Sequence, residues 1–212
     1  IYWTIEYTTG GNYYLMPGAN TTAASQSATN YVCPLSGYSE STSTTATDWE
    51  IIIPVAATVT KLVAALDVAP GSGKNYAMNV RLNNTTDVLT ATVADTNTIA
   101  TATGSQALSA GDTLVIKVVP TGTPAAGRTK TCMTIVPNAS GEIIAAQCGT
   151  SGPSTTATTY QQFYGTGPST GSWNTSESAR LMRSPACIIK NLYFKTNSAP
   201  GSGASWIATV RS

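Results

Sequence analysis

The pentapeptide Ala-Pro-Gly-Ser-Gly occurs twice in the chain, at Ala69–Gly73 and again at Ala199–Gly203, a spacing of 130 residues. The match continues on both sides. At the same spacing Leu62 meets Leu192, Tyr76 meets Trp206, Val80 meets Val210 and Arg81 meets Arg211. A short identity could arise by chance in a Gly- and Ser-rich chain. Apolar, aromatic and basic positions held in one frame indicate common origin. Internal repetition constrains the fold more than any local propensity, because each copy must close the same unit. A period this long lets each copy be a domain of its own.

The register extends upstream, where Tyr31 meets Tyr160 at a spacing of 129. The opening YWTIEYTTGGNYYLM resembles KTCMTIVPNASGEIIA around 130–145. Each is a short strand, a polar Gly-bearing turn and a second strand. The expected organisation is therefore a terminal strand at 1–8 related to the end of a repeat, one complete repeat at 9–136, and a second, truncated repeat at 137–212. The second copy lacks everything equivalent to Thr85–Val136. A sandwich without half its strands exposes apolar faces and open edges. Two completions stay open: a longer parent chain, favoured by the need to cap terminal repeats, or strands supplied by a neighbouring subunit. The start at Ile1 rather than Met reads as a processed or trimmed end.

The apolar pattern has period two. Tyr76, Met78, Val80 and Leu82 share one face, with Asn79 and Arg81 on the other. Leu114, Ile116 and Val118 form a second such face, opposite Lys117. This alternation marks half-buried strands. Further strands are expected at Trp49–Ile53, Ala57–Leu66, Val88–Val93, Thr131–Val136 and Glu142–Gln147. The Ala-rich Thr60–Leu66 could be misread as helix, but its repeat mate, from Lys190 to Lys195, is strand-like. Asn83-Asn84 tolerates positive φ and reads as a hairpin turn. Ala110-Gly111-Asp112 and Pro120-Thr121-Gly122 bracket another strand. The fold class expected is all-β: an antiparallel, jelly-roll-like β-sandwich, as two tandem related domains with the second incomplete.

Composition narrows function by exclusion. Charged residues are 10% of the chain, against roughly 25% in ordinary soluble domains. The net charge is +1 and apolar residues reach 42%, so the low charge does not signal disorder. The basic residues are scattered, whereas nucleic-acid binding needs them clustered. No apolar run is long enough for a transmembrane helix. The expectation is no nucleic-acid and no membrane partner.

Catalytic motifs fail on chemistry. Gly167-Pro168-Ser169-Thr170-Gly171 fits G-x-S-x-G, but the chain has no His to serve as general base. Pro70-Gly71-Ser72-Gly73-Lys74 resembles part of a phosphate loop without the full pattern or a following helix. Its recurrence at Pro200, Gly201 and Gly203, where Ala204 replaces Lys74, says that the turn matters and the lysine does not. Pro70, Gly71, Gly73, Pro200, Gly201 and Gly203 are thus structural-turn residues. Asp48 and Glu50 read as a solvated strand face. Asp95 and Asn97 lack the Asp-rich loop that Ca²⁺ requires. No cofactor and no metal are expected, and no enzyme. Trp206 matches core-facing Tyr76 and reads as packing, while Tyr13, Tyr14 and Tyr38 are candidates for exposed glycan contacts. The sequons starting at Asn20, Asn83, Asn84, Asn138 and Asn174 arise easily in such a composition.

Cys33, Cys132, Cys148 and Cys187 form no C-x-x-C pair. A hairpin of Thr131–Val136 with 142–148, centred near residue 140, would set Cys132 opposite Cys148. A Cys132–Cys148 disulfide follows, leaving Cys33 and Cys187 to pair or stay buried.

The stretch from Leu62 to Val119, with APGSG, NVRLNN and the SAGDTLVIKVVPTGTP run, resembles repeats of virion proteins from uncultivated tailed phages. In those, a strand leads to APG-x-G, an R-x-N turn and an AGD strand. Ala64-Ala65 and the incomplete second copy depart from the pattern. The resemblance implies a jelly-roll-like module in a capsid decoration, fibre or tail component, extracellular or virion-borne, and a homo-oligomer or polymer that also meets other virion proteins. The alternatives are a subunit of a cellular extracellular filament or surface layer, and a carbohydrate-binding adhesin module.

Overall fold

Period-two alternation in the first copy becomes ten strands: β1 Tyr14–Ala23, β2 Asn30–Val32, β3 Ser36–Ser39, β4 Ile51–Ile52, β5 Ala57–Leu66, β6 Gly71–Leu82, β7 Thr86–Asp95, β8 Ile99–Leu108, β9 Thr113–Thr121 and β10 Arg128–Pro137. A computed structural model describes residues 14–34, 36–39, 42–140, 144, 152–160, 173–178, 188–196 and 198–211, with side chains undescribed at 14–16 and 36–39. A short 3-10 segment spans Ala46–Asp48.

The strands form two sheets, ordered β3-β1-β10-β5-β8 and β2-β9-β6-β7, with β4 also pairing β9. All pairs are antiparallel except β1 with β3. The chain behaves as a long ribbon folded back at the β6–β7 turn. β6 pairs β7, β5 pairs β8, β2 pairs β9 and β1 pairs β10, so successive pairs outward from the fold fall alternately in the two sheets. The inner faces meet in one core. Val59 and Leu62 of β5 and Met133 and Ile135 of β10 face Tyr76, Met78 and Val80 of β6 and Leu114 and Ile116 of β9, all at 0% exposure. Each such side chain contributes on the order of 1.5–3 kcal/mol of burial. Ile144, beyond the 136/137 repeat boundary, is buried in the same core.

The turns follow from residue type. Leu82 accepts from the Thr85 amide at 3.0 Å, with Asn83 and Asn84 between them at φ 49° and 58°. Two left-handed residues in sequence make a type I′ turn, whose twist suits a hairpin and which Asn tolerates. Ala57–Leu66 is a strand end to end, not a helix. β7, β9 and β10 extend a little beyond their expected limits. The Trp49–Ile53 strand shrinks to Ile51–Ile52, with Trp49 closing the 3-10 turn.

The expected β10 hairpin and its disulfide are corrected. Cys132 sits between Pro17 of β1 and Val63 of β5 in the middle of a sheet. Both edges of β10 are thereby occupied, leaving no place beside it for a strand at 142–147. Cys132 is a free thiol, so no Cys132–Cys148 bridge forms; Cys148 lies outside the described residues. Cys33 is buried, and Cys187 lies outside the described residues.

Candidate functional site

Each sequence-marked residue was placed by what its neighbours demand of it. In the first copy, Gly71 and Gly73 have φ of 101° and 70°, and the Gly73 amide donates to the Asp95 carboxylate at 2.7 Å. Asp95 therefore caps this turn rather than joining a cation loop with Asn97. Pro70 is buried and its carbonyl accepts from Ala125 at 2.8 Å. The turn runs straight into β6, so no helix N-terminus lies behind it to hold a phosphate. Gly201 and Gly203 take φ of 98° and 73°, so the second turn reproduces the first.

Other local geometry also recurs. Tyr31 and Ser43 exchange two backbone hydrogen bonds of 2.7 and 3.1 Å; Tyr160 and Asn174 exchange two of 2.7 and 3.0 Å. Ser25 Oγ accepts from the Ser27 and Ala28 amides, and Ser154 Oγ accepts from the Thr156 and Ala157 amides. Arg211 lies 5.9 Å from the Tyr160 ring centroid, and Trp173 meets Phe194 edge-on at 6.1 Å. The second copy thus reproduces its turns and bridge and makes contacts of its own.

Its strands differ. Residues 188–196 and 204–211 correspond to β5 and β6, yet pair with no strand among the described residues. Val59, Leu62 and Val80 are at 0% exposure, while their mates Ile189, Leu192 and Val210 are at 51%, 53% and 37%. Trp206, the mate of Tyr76, is half-buried.

Several charged residues are committed to structure. Asp87 accepts from Arg81 at 2.6 Å and from Lys117 at 2.8 Å on the outer face of the β6 sheet. Burial works to raise its carboxyl, but the hydrogen bonds and charges of Lys117 and Arg81 outweigh it and hold the group below the usual carboxylate range. Asp48 accepts from Ser43 Oγ at 2.6 Å. Glu50, its side chain buried, accepts from Asn84 and from Lys195 of the second copy. Asp48, in the 3-10 turn, and Glu50, with its side chain buried, are thus tethers, which corrects the solvated strand face expected of them. Arg128 and Asp67 pair beside a shallow cavity of about 300 Å³, lined also by Thr21, Ala23, Val68 and Ala126. Burial pushes the Cys132 thiol up, with Lys61 opposing it.

Asn20 is buried at 6% exposure, which closes its sequon to modification in the folded chain. The 167–171 motif and the Tyr13 ring lie outside the described residues, as do the rings of Tyr14 and Tyr38. Among the described residues no group of three or more Cys, Asp or Glu could hold a metal ion, and no helix is long and apolar enough to cross a membrane.

A feature that composition did not reveal is the outer edge of β8, beside which no strand lies among the described residues. This strand, IATATGSQAL, is ten residues long, carries no charge and, among the described residues, pairs only with β5. Ile99 is exposed on it. Sheet edges are ordinarily blunted by Lys, Pro or bulges. Its bulge faces Thr60, on the side already paired.

Comparison with known protein families, with curated proteins and with solved structures finds no match.

Proposed function

We propose that the chain is a non-enzymatic structural subunit of an extracellular assembly, namely a virion component of the capsid-decoration, fibre or tail kind, that works by β-mediated self-association. The carrying observation is the ten-residue uncharged β8 edge. An edge without charges offers its backbone donors and acceptors to a further strand at little electrostatic cost. The strand order supports a jelly-roll reading, because β1-β10-β5-β8 and β2-β9-β6-β7 are the two sheets that a ribbon folded at β6–β7 yields when it rolls up. Jelly rolls serve in viral capsids and also in lectins, so this support is fold-level analogy. The commitment of Asp48, Glu50, Asp87 and Asp95 to structural hydrogen bonds leaves few groups for acid–base chemistry in a chain without His.

The test is sedimentation velocity across a concentration series, with Thr101→Lys/Thr103→Lys as the variant. These two side chains are exposed on β8. The wild-type chain associates with rising concentration and the double-lysine chain stays monomeric at an unchanged melting temperature. A wild-type chain monomeric at all concentrations would overturn the self-association reading. For the virion assignment, the chain co-purifies with nuclease-resistant, DNA-containing particles; its recovery only in DNA-free filaments would favour the cellular alternative.

A further inference from the structure

The β6–β7 turn holds two asparagines with different duties. The Asn83 side chain serves the fold. Its Oδ1 accepts from the Thr113 amide and its Nδ2 donates to the Asp112 carboxylate, both at 2.8 Å. The Asn84 backbone carbonyl accepts from Arg81 Nε at 3.0 Å, which anchors its main chain. Its side chain reaches elsewhere. Asn84 Nδ2 donates to Glu50 Oε1, and Lys195 Nζ donates to Glu50 Oε2 at 2.6 Å. One carboxylate therefore holds a carboxamide on one oxygen and an amine on the other.

The surroundings favour a reaction between the two. The Glu50 side chain is 4% exposed, and a buried ion pair carries a desolvation cost. Passing a proton from Nζ to Oε2 neutralises both partners and leaves Lys195 as the free amine, its nucleophilic form. Asn84 Oδ1 is buried and has no hydrogen-bond partner among the described residues. An amide with a purely structural role satisfies both of its ends when buried; this one satisfies the end that touches Glu50. The Lys195 side chain is half-exposed, which gives a small leaving group a way out. Tyr193 also lies against the first copy, its ring 3.9 Å from where a Cβ on Gly111 would stand. The segment that carries Lys195 is thus seated at two points.

We propose that Lys195 and Asn84 join in an intramolecular isopeptide bond, with Glu50 as the catalytic residue. Glu50 Oε2 takes a proton from the Lys195 ammonium. The free amine attacks Asn84 Cγ, and the Nζ–Cγ bond forms. Glu50 Oε1 gives its proton to Nδ2, and the Cγ–Nδ2 bond breaks. A second Nζ proton follows through the carboxylate, so Nδ2 departs as ammonium and the new amide keeps one N–H. No electrons are gained or lost, and Glu50 ends as it began. The bond forms once per chain, so it is a maturation step and not turnover. It ties the second copy to the β6–β7 turn of the first. It needs no second chain and stands apart from the self-association reading.

Intact mass of the reduced, denatured chain, followed by a tryptic map, tests it. The chain purified in its folded state is expected to weigh less than its sequence by one ammonia. Trypsin should fail to cut after Lys195, and a branched peptide should join Asn84 to Lys195. Glu50→Gln should restore the full mass. Lys195→Arg should do the same while keeping a cation beside Glu50, so it reports on the reaction even where Glu50→Gln fails to fold. Full sequence mass in the folded wild-type chain would overturn the proposal. An ammonia loss that survives Lys195→Arg would overturn it too, since that loss would be a succinimide at an asparagine. A complete cross-link in Glu50→Gln would overturn the role given to Glu50.

Discussion

Asp87 shows how the few charges in this chain are spent. One carboxylate receives both Arg81 and Lys117 across two strand boundaries, and hydrogen bonds from both hold its pKa below the ordinary value. A carboxyl depressed in the folded state contributes stability above its unfolded pKa of about 3.9. That contribution disappears as pH falls through the lower folded value. Asp87→Asn should therefore melt below wild type at pH 7, with the gap closing as pH drops beneath about 4. A thermal-melt series from pH 7 to pH 2 checks it, and a gap that persists at the acid end would contradict the assigned cause. At this scale sequence is most informative where a side chain needs only its immediate neighbours. Asn83 and Asn84 were legible as a turn because their left-handed φ is a local property. Cys132 was not legible. Its neighbours Pro17 and Val63 are each remote in sequence, whereas a hairpin partner was sought nearby.

Strands and turns carry the next level of explanation, and here the repeated APGSG turn allows a controlled comparison. Both copies place their glycines at the same positive φ, 101° and 98° at the first, 70° and 73° at the third residue. A residue with a Cβ is strained there by roughly 1–2 kcal/mol. Only the first turn connects strands that are paired on both edges. Gly71→Ala should lower the urea midpoint of the sandwich by an amount corresponding to about 1–2 kcal/mol. Gly201→Ala should leave that midpoint within experimental error, because its flanking segments join no sheet among the described residues. Equal losses would mean that both copies unfold together. The elements that periodicity located were those with bulky inward faces, β5, β6, β7, β9 and β10. β8 escaped because its inward positions, Ala100, Ala102, Gln106 and Leu108, are mostly small or polar and give little period-two contrast. Among the described residues its outer edge is unpaired.

For the whole molecule, the decisive relation is between two copies with one pattern and unequal surroundings. Leu62 and Leu192 occupy equivalent positions, one sealed between two sheets at 0% exposure and the other at 53%. Truncating the first removes buried contacts and leaves a cavity, so Leu62→Ala should cost about 2–5 kcal/mol. Truncating the second in the dilute monomer should change stability by no more than about 0.5 kcal/mol. Equilibrium denaturation at submicromolar concentration makes the comparison. The repeat itself was readable from sequence through the shared turn and its flanking frame. What sequence could not supply was the topology: β5 and β6 each take both neighbours from the later half of the repeat.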